Sequence, residues 1–337
     1  MILGEIIHNL RQSPLFSIII LYWNNGQYIQ KCLVSLSNQI FSDFEVIIIN
    51  NGSQEPFNKN LLQDFQNLQI KFIQLPENIG FSAGNNLGVE HAIGKYIVTL
   101  NADAFPQKEW LEHINKAIEK YPDCFFASKQ VMANDPSRLD GAGDVYHFTG
   151  LGWRKFHTYK LQKLKLEEQE VFSACAAAAI YPKKAFDEVG GFDPDYFSYG
   201  EDVDLGFRLR LAGYRCIFLP NAVVQHVGSA STGRRSDFSV YYGHRNLVWT
   251  FVKNMPDVLF WILLPFHLLM NVLFISVSIL RKQGKITLKA KIDAIKDLPT
   301  WWKKREQIQA NRRTSIFKII FALNWNPFSP FQKFLHN

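Results

Sequence analysis

Four short runs that are apolar on both faces constrain this chain more than any other feature. Phe16–Tyr22 (FSIIILY), Phe44–Ile49, Ile70–Gln74 and Tyr96–Leu100 have strand length and almost no polar alternation. Tyr28–Leu36, a stretch near Leu61–Phe65 and Asn85–Ala92 lie between them and read as helical. Strands that need cover on both faces, alternating with helices, predict a mostly parallel sheet with helices on either side. An apolar share of 47% against 20% charged residues supplies the core for it. Such sheets bind ligands beyond the carboxyl ends of their strands.

The residues just past each strand are therefore informative. Trp23-Asn24-Asn25-Gly26, Asn50-Asn51-Gly52-Ser53, Asn78-Ile79-Gly80-Phe81 and Asn101-Ala102-Asp103 all deliver Asn, Gly or Asp to one edge. Any one of them reads as ordinary turn chemistry. Four on the same edge point to a binding rim. Further on, Pro106–Lys120 reads as a helix and Met132–Glu170 supports no assignment. Gly190-Gly191-Phe192-Asp193 is a turn, Glu201–Ala212 a helix, and Cys216–Leu219 a strand closed by Pro220.

Two acidic groups carry chemistry. Asp103 follows a buried strand, where a carboxylate can hold a hard divalent cation against diphosphate oxygens; alone it would also serve as a helix cap. Glu201, Asp202 and Asp204 crowd the start of one helix. The helix dipole favours an anion there, but a cap needs one acid and three repel, so one of them is a candidate general base. His226 before Gly228 is a possible metal ligand. Arg234, Arg235 and Arg245 are candidates to meet phosphate.

At these motifs the chain resembles the family 2 inverting glycosyltransferases of the GT-A fold, in particular their rhamnosyltransferase-like branch in bacterial cell-surface polysaccharide synthesis. The resemblance runs through SIIILYWNN (17–25), FEVIIINNGS (44–53), NIGFSAGNN (78–86), YIVTLNAD (96–103), EVGGFDPDYFSYGEDVDLGFRLRLAGY (188–214) and His226-Val227-Gly228. It implies a Rossmann-like, mostly parallel sheet forming a catalytic domain over 1–256. It implies a nucleotide-sugar donor, dTDP-rhamnose-like or a UDP-sugar, held by Tyr22, Asn24, Asn50, Asn51, Gly80, Asn85, Asn86, Asn101 and Asp103. Asp103 and His226 would be ligands of Mg2+ or Mn2+. Asp202 would be the base, with Glu201 beside it in the catalytic pair, and a single sugar would be transferred with inversion. The chain departs from the family pattern in having Asn50 where Asp is common, Asn101 as the first residue of Asp-X-Asp, and Cys175-Ala176-Ala177 for Ser-Gly-Ala. Two rival readings are a processive polysaccharide synthase and a non-catalytic nucleotide-sugar scaffold.

Residues 257–337 form a second region. Val258–Leu280 holds 23 residues without a formal charge, about 34 Å of helix at 1.5 Å per residue. Pro265, His267, Asn271 and Ser278 weaken a spanning helix, and the last three share one face. From Arg281 onward 13 basic residues meet 3 acidic ones, leaving the preceding body at −3. Leu288, Ile292, Ile295 and Trp302 recur at helical spacing among lysines. A helical tail lying on an anionic membrane surface at the cytoplasmic face, beside a lipid-linked or glycan acceptor, is the expected arrangement. No zinc finger, helix-turn-helix or RNA-binding signature accompanies the basic tail, so a nucleic-acid partner is not expected. Four widely spaced cysteines suit a reducing compartment, and no secretory signal is expected.

Overall fold

The computed structural model describes residues 13–24, 26–228, 233 and 235–331. The first half comprises β1 (Phe16–Tyr22), α1 (Gly26–Ser37), β2 (Phe44–Asn51), a 3₁₀ turn at Lys59–Phe65, β3 (Ile70–Leu75), α2 (Phe81–Glu90) and β4 (Tyr96–Leu100). β1 pairs in parallel with β2 and β4, and β2 with β3. Ile18, Ile20, Val46, Ile48 and Val98 enter one core cluster, and Ile19, Ile47, Ile49 and Ile97 the other. The apolar runs are thus covered on both faces, which is why they lack alternation. The order β3–β2–β1–β4 reverses direction between β1 and β4, and the crevice of such a sheet opens at that switch point.

The second half adds β5 (Ala104–Pro106), α3 (Trp110–Lys120), β6 (Cys124–Met132), β7 (Asp135–Ala142), β8 (Asp144–Tyr146), β9 (Gly152–Arg154), β10 (Gln169–Val171), β11 (Ala178–Pro182), α4 (Lys183–Glu188), α5 (Glu201–Leu211) and β12 (Arg215–His226). Three expectations are corrected here. The helix expected from Pro106 begins at Trp110, because Ala104–Pro106 stays extended and pairs with Val224–His226. Asp103 therefore does not cap that helix. The unassigned stretch after Met132 holds β7 to β10. β7 is polar and carries Pro136 and Gly141, yet is held as a strand by β6. The strand expected to close at Pro220 continues to His226. Proline removes one ladder donor, so the β6–β12 register breaks between Leu219 and Val223 and then resumes.

Beyond β12 come α6 (Asp237–Asn254), α7 (Asp257–Leu280), α8 (Gly284–Lys296), α9 (Leu298–Ala310) and α10 (Ile316–Ala322). Trp249, Phe251, Leu259, Phe260, Ala294, Trp301 and Ile319 share one core with Tyr146 of β8 and Phe207 of α5. His267, Asn271 and Ser278, the polar stripe of α7, point inward and are buried. The opposite face of α7 leaves Trp261, Ile262, Leu269 and Val272 exposed.

A buried ion network ties these parts together. Lys253 Nζ lies 2.7 Å from Asp193 Oδ2 and 2.8 Å from Asp204 Oδ1. Asp204, fully buried, also meets Arg208 at 2.8 Å, Asn254 at 2.7 Å and the Tyr196 hydroxyl at 3.2 Å. Lys304 of α9 reaches Asp193 at 2.6 Å and Asp195 at 2.7 Å. Burial pushes the Asp193 carboxyl up, but Lys253 and Lys304 outweigh it and hold it well below its ordinary value. Replacing Lys253 by Met leaves two carboxylates under-compensated. Urea unfolding at neutral pH should show a loss of about 3–5 kcal/mol. A depressed carboxyl contributes its full stability above its unfolded value of 3.8 and loses it as pH falls. The deficit should therefore shrink in acid.

Candidate active site

The cleft at the switch point has a volume of about 900 Å³. On its donor side the rim is built largely by asparagines bonding to backbone. Asn51 Oδ1 accepts from Ile79 N at 3.0 Å, and its Nδ2 donates to Asn78 Oδ1 at 2.9 Å. This ties the β2 loop to the β3 loop. Gly80 follows at φ 88°, and a Cβ there would sit 2.6 Å from the Phe197 ring, so no other residue fits. Asn51, Gly80, Asn101 and Asp103 line the cleft, joined by Trp23 and Asn78.

The remaining candidates make contacts of their own within the protein. Tyr22 is buried, its ring edge-on to Phe57 at 5.1 Å. Asn24, at φ 52°, accepts from Gln54 N at 2.9 Å. Asn50 donates to Gln74 Oε1 at 2.8 Å. Asn85 donates to Phe81 O within α2 at 2.9 Å. Asn86 grips Phe192 by both backbone groups, at 2.7 and 3.0 Å, and so fixes the Gly190–Asp193 turn. These five hold the rim's shape.

At the carboxyl end of β4 the second group assembles. The extension of β12 brings His226 beside Ala104 and therefore beside Asp103. His226 Nε2 lies 3.4 Å from Asp103 Oδ1 and 3.4 Å from Asn101 Nδ2, while Nδ1 lies 2.7 Å from Asp140 Oδ2. Asp103 Oδ2 also accepts from Gly228 N at 3.2 Å. Burial disfavours the imidazolium, but the hydrogen bonds to Asp103 and Asp140 outweigh it and raise the His226 pKa. Burial also pushes up the Asp140 carboxyl; Arg154, His157 and His226 reverse this and depress it. Asp140, Arg154 and His157 are not legible in the sequence because they lie on β7, β9 and the loop after it, where no periodicity signals a strand.

The third group is the acidic helix start. Gly200, at φ 82°, turns the chain into α5. Asn246 of α6 donates to Tyr196 O, Ser198 O and Tyr199 O, at 2.7–3.0 Å, and holds the preceding loop. The three acids then part company. Asp204 belongs to the ion network. Glu201 is buried, and that burial, with the Asp202 charge, pushes its carboxyl well above its ordinary value. Asp202 lines the cleft and accepts from Ala176 N at 3.2 Å and Val203 N at 2.8 Å. Glu201 and Asp144 also line the cleft; Asp144 is raised by burial and by the Asp202 charge and accepts from the Ser173 hydroxyl at 2.9 Å. Arg235 lines the cleft, whereas Arg245 turns away to Asp195 O and Tyr196 O and lies 3.9 Å from the Trp249 ring centroid. Arg234 lies outside the described residues.

The crevice at the switch point thus brings an Asp–His pair at one strand end together with Asp140, Asp144, Glu201 and Asp202. The model of Glycosyl transferase family 2 matches residues 17–190, about half of the chain, and the chain belongs to that family. An N-acetylglucosaminyl-diphospho-decaprenol L-rhamnosyltransferase of Mycobacterium tuberculosis is 24% identical over 244 residues, covering 66% of this chain and 79% of its own length. Glycosyltransferase AglE of Haloferax volcanii is 24% identical over 221 residues, covering 63% of this chain and 67% of its own. A mannosyltransferase from Pyrobaculum calidifontis, solved with GDP-Man and Mn2+, superposes with a TM-score of 0.54 at 16% identity over 89% of this chain and 86% of that one. GalNAc-T7, solved with UDP, GalNAc and Mn2+, gives 0.58 at 17% identity over 71% of this chain, which spans 48% of that structure. At these identities the structural likeness is one of fold.

The partition of the acids is testable. Glutamine is isosteric with a protonated Glu201, so Glu201→Gln should keep turnover within about tenfold of wild type. Asp202→Asn should lose the 10²–10⁴-fold that a positioned base supplies. Steady-state donor turnover of the two variants measures the difference.

Proposed function

We propose that this chain transfers a single sugar, with inversion, from a nucleotide-sugar donor to a lipid-linked acceptor in cell-surface polysaccharide synthesis. The observation that carries this is that Asp202 lines the cleft with Asp103 and His226 and accepts two backbone N–H groups, whereas burial pushes up the carboxyl of Glu201 beside it and Asp204 is held in the ion network. An acceptor hydroxyl oxygen attacks the anomeric carbon while Asp202 takes its proton. The bond from that carbon to the diphosphate oxygen breaks, and the nucleotide diphosphate leaves with the electron pair. The donor is dTDP-rhamnose-like or a UDP-sugar, in keeping with the rhamnosyl transfer that the mycobacterial relative is named for.

Asp103 and His226 fit a divalent cation, Mg2+ or Mn2+. Asp140 takes His226 Nδ1 and leaves Nε2 facing Asp103, the orientation that an outer-shell carboxylate imposes on a metal-binding imidazole. Among the described residues no three His, Cys, Asp or Glu side chains form a metal-holding group, so donor oxygens and water would complete the shell. When bound, the cation would offset negative charge on the leaving diphosphate.

The membrane placement rests on α7. It packs along its length against the body, from Leu259 to Ser278, and exposes an apolar face. A helix so packed lies beside the catalytic half in the interface plane at the cytoplasmic face. Phe317, Phe321 and Phe328, 71%, 86% and 71% exposed, extend the patch, with Lys285, Lys289 and Lys303 near it in sequence.

Two measurements test this reading. Asp202→Asn should abolish sugar transfer while calorimetric donor binding survives; retained turnover sinks the assignment. Trp261→Glu combined with Leu269→Glu should release the chain from phosphatidylglycerol vesicles in co-sedimentation, with its melting temperature unchanged.

A further inference from the structure

On the side of the late helices the cleft is lined by Leu151, Val203, Gly243, Leu247 and Phe274, with polar Ser239, His244 and Thr250 among them. Gly243 and Leu247 are one turn apart on α6 and share a face. Phe274 comes from α7, whose neighbouring Leu269, Val272 and Leu273 are exposed on the outer surface. One helix thus lines the cleft and carries the apolar face proposed to meet the membrane.

Gly243 is unusual among the glycines inside described helices. A Cβ on Gly84 would meet Leu21 at 2.5 Å, on Gly88 Ile19 at 2.3 Å, and on Gly206 Ser173 at 2.3 Å. Close packing therefore accounts for those three. A Cβ on Gly243 would meet nothing within 4 Å, and its φ is not in the left-handed region. Neither packing nor backbone geometry calls for glycine, yet glycine weakens a helix interior relative to alanine. What its bare Cα does provide is empty space in the cleft.

We propose that Gly243 sets the bore of an acceptor passage. Through it the saccharide of a membrane-anchored acceptor reaches Asp202, with α7 forming the passage wall on one side and the lipid-facing surface on the other. The inference rests on the reading of Asp202 as the base of a glycosyl transfer. A side chain at 243 takes up space on the α6 side of the cleft, whereas Asn51, Gly80, Asn101 and Asp103 come from the first half.

The test is a volume series, Gly243→Ala, Gly243→Leu and Gly243→Trp, in the full chain. The probe acceptor is N-acetylglucosaminyl-diphospho-decaprenol in detergent micelles, with nucleotide sugars screened as donors. Ala should melt no lower than wild type and transfer normally. Leu and Trp should lower kcat/KM for the lipid acceptor progressively, Trp by about a hundredfold, the scale of a displaced reacting group. Donor binding and slow donor hydrolysis by water should stay at the wild-type level in all three. Wild-type transfer by a folded Leu or Trp variant overturns the proposal. So does parallel loss of donor binding, which would put residue 243 on the donor side. A wild-type chain that neither hydrolyses nor transfers any nucleotide sugar overturns the transfer reading itself, and is told apart by the absence of any donor chemistry to compare.

Discussion

Lys253 brings an amine into the interior, where burial disfavours its charge and the Asp204 and Asp193 carboxylates favour it, and three separate pieces of the protein close around it. Asp193 arrives from the Gly-Gly-Phe-Asp turn, Asp204 from α5, and Lys304 of α9 reaches Asp193 from the far side. Removing an ion from water costs several kcal/mol, and such a group is retained only where partners surround it. The turn, the acidic helix and the late helices must therefore be placed together or not at all. Asn86 joins the same turn to α2, and Asn246 joins the loop after it to α6. The position of Asp202 in the cleft results from this frame, since it lies between residues that the frame pins.

The other end of the cleft depends on a defect in a strand. Pro220 breaks the ladder between β6 and β12, yet the strand resumes at Val223 and runs on to His226. Without that continuation His226 would not reach Asp103. β7 folds back on β6 and presents Asp140 to the other ring nitrogen. The ring is then held from both sides, and its two nitrogens have distinct tasks.

The parallel half-sheet was legible because buried strands in such a sheet leave an unbroken apolar signature. The rim loops were legible for the same reason, as each strand end is marked. Much less could be read between Met132 and Glu170. DPSRLDGA becomes a strand only because β6 offers it a partner, a long-range effect that local propensity does not encode. The site's Asp140, Arg154 and His157 were hidden with it. Asn85 and Asn86 stood out by type and position, but amides serve backbone as readily as ligands, and only contacts tell the two apart. In α7, polar His267, Asn271 and Ser278 on one stripe pointed away from a simple spanning helix. The stripe faces the protein, with His267 Nδ1 donating to Thr149 O at 2.8 Å.

Crowding three acids into one helix start poses an electrostatic problem, and their surroundings answer it differently. Repulsion would penalise the three charges equally if those surroundings were alike. They are not alike. Asp204 is given cations and becomes a fixed anion of the core. Glu201 is buried beside Asp202, and both effects push its carboxyl well above its ordinary value. Asp202 lines the cleft and accepts from two backbone N–H groups. Pairing Asp204 with cations and burying Glu201 lowers the repulsion at the helix start. The triplet resolves its own crowding by giving each acid a different environment.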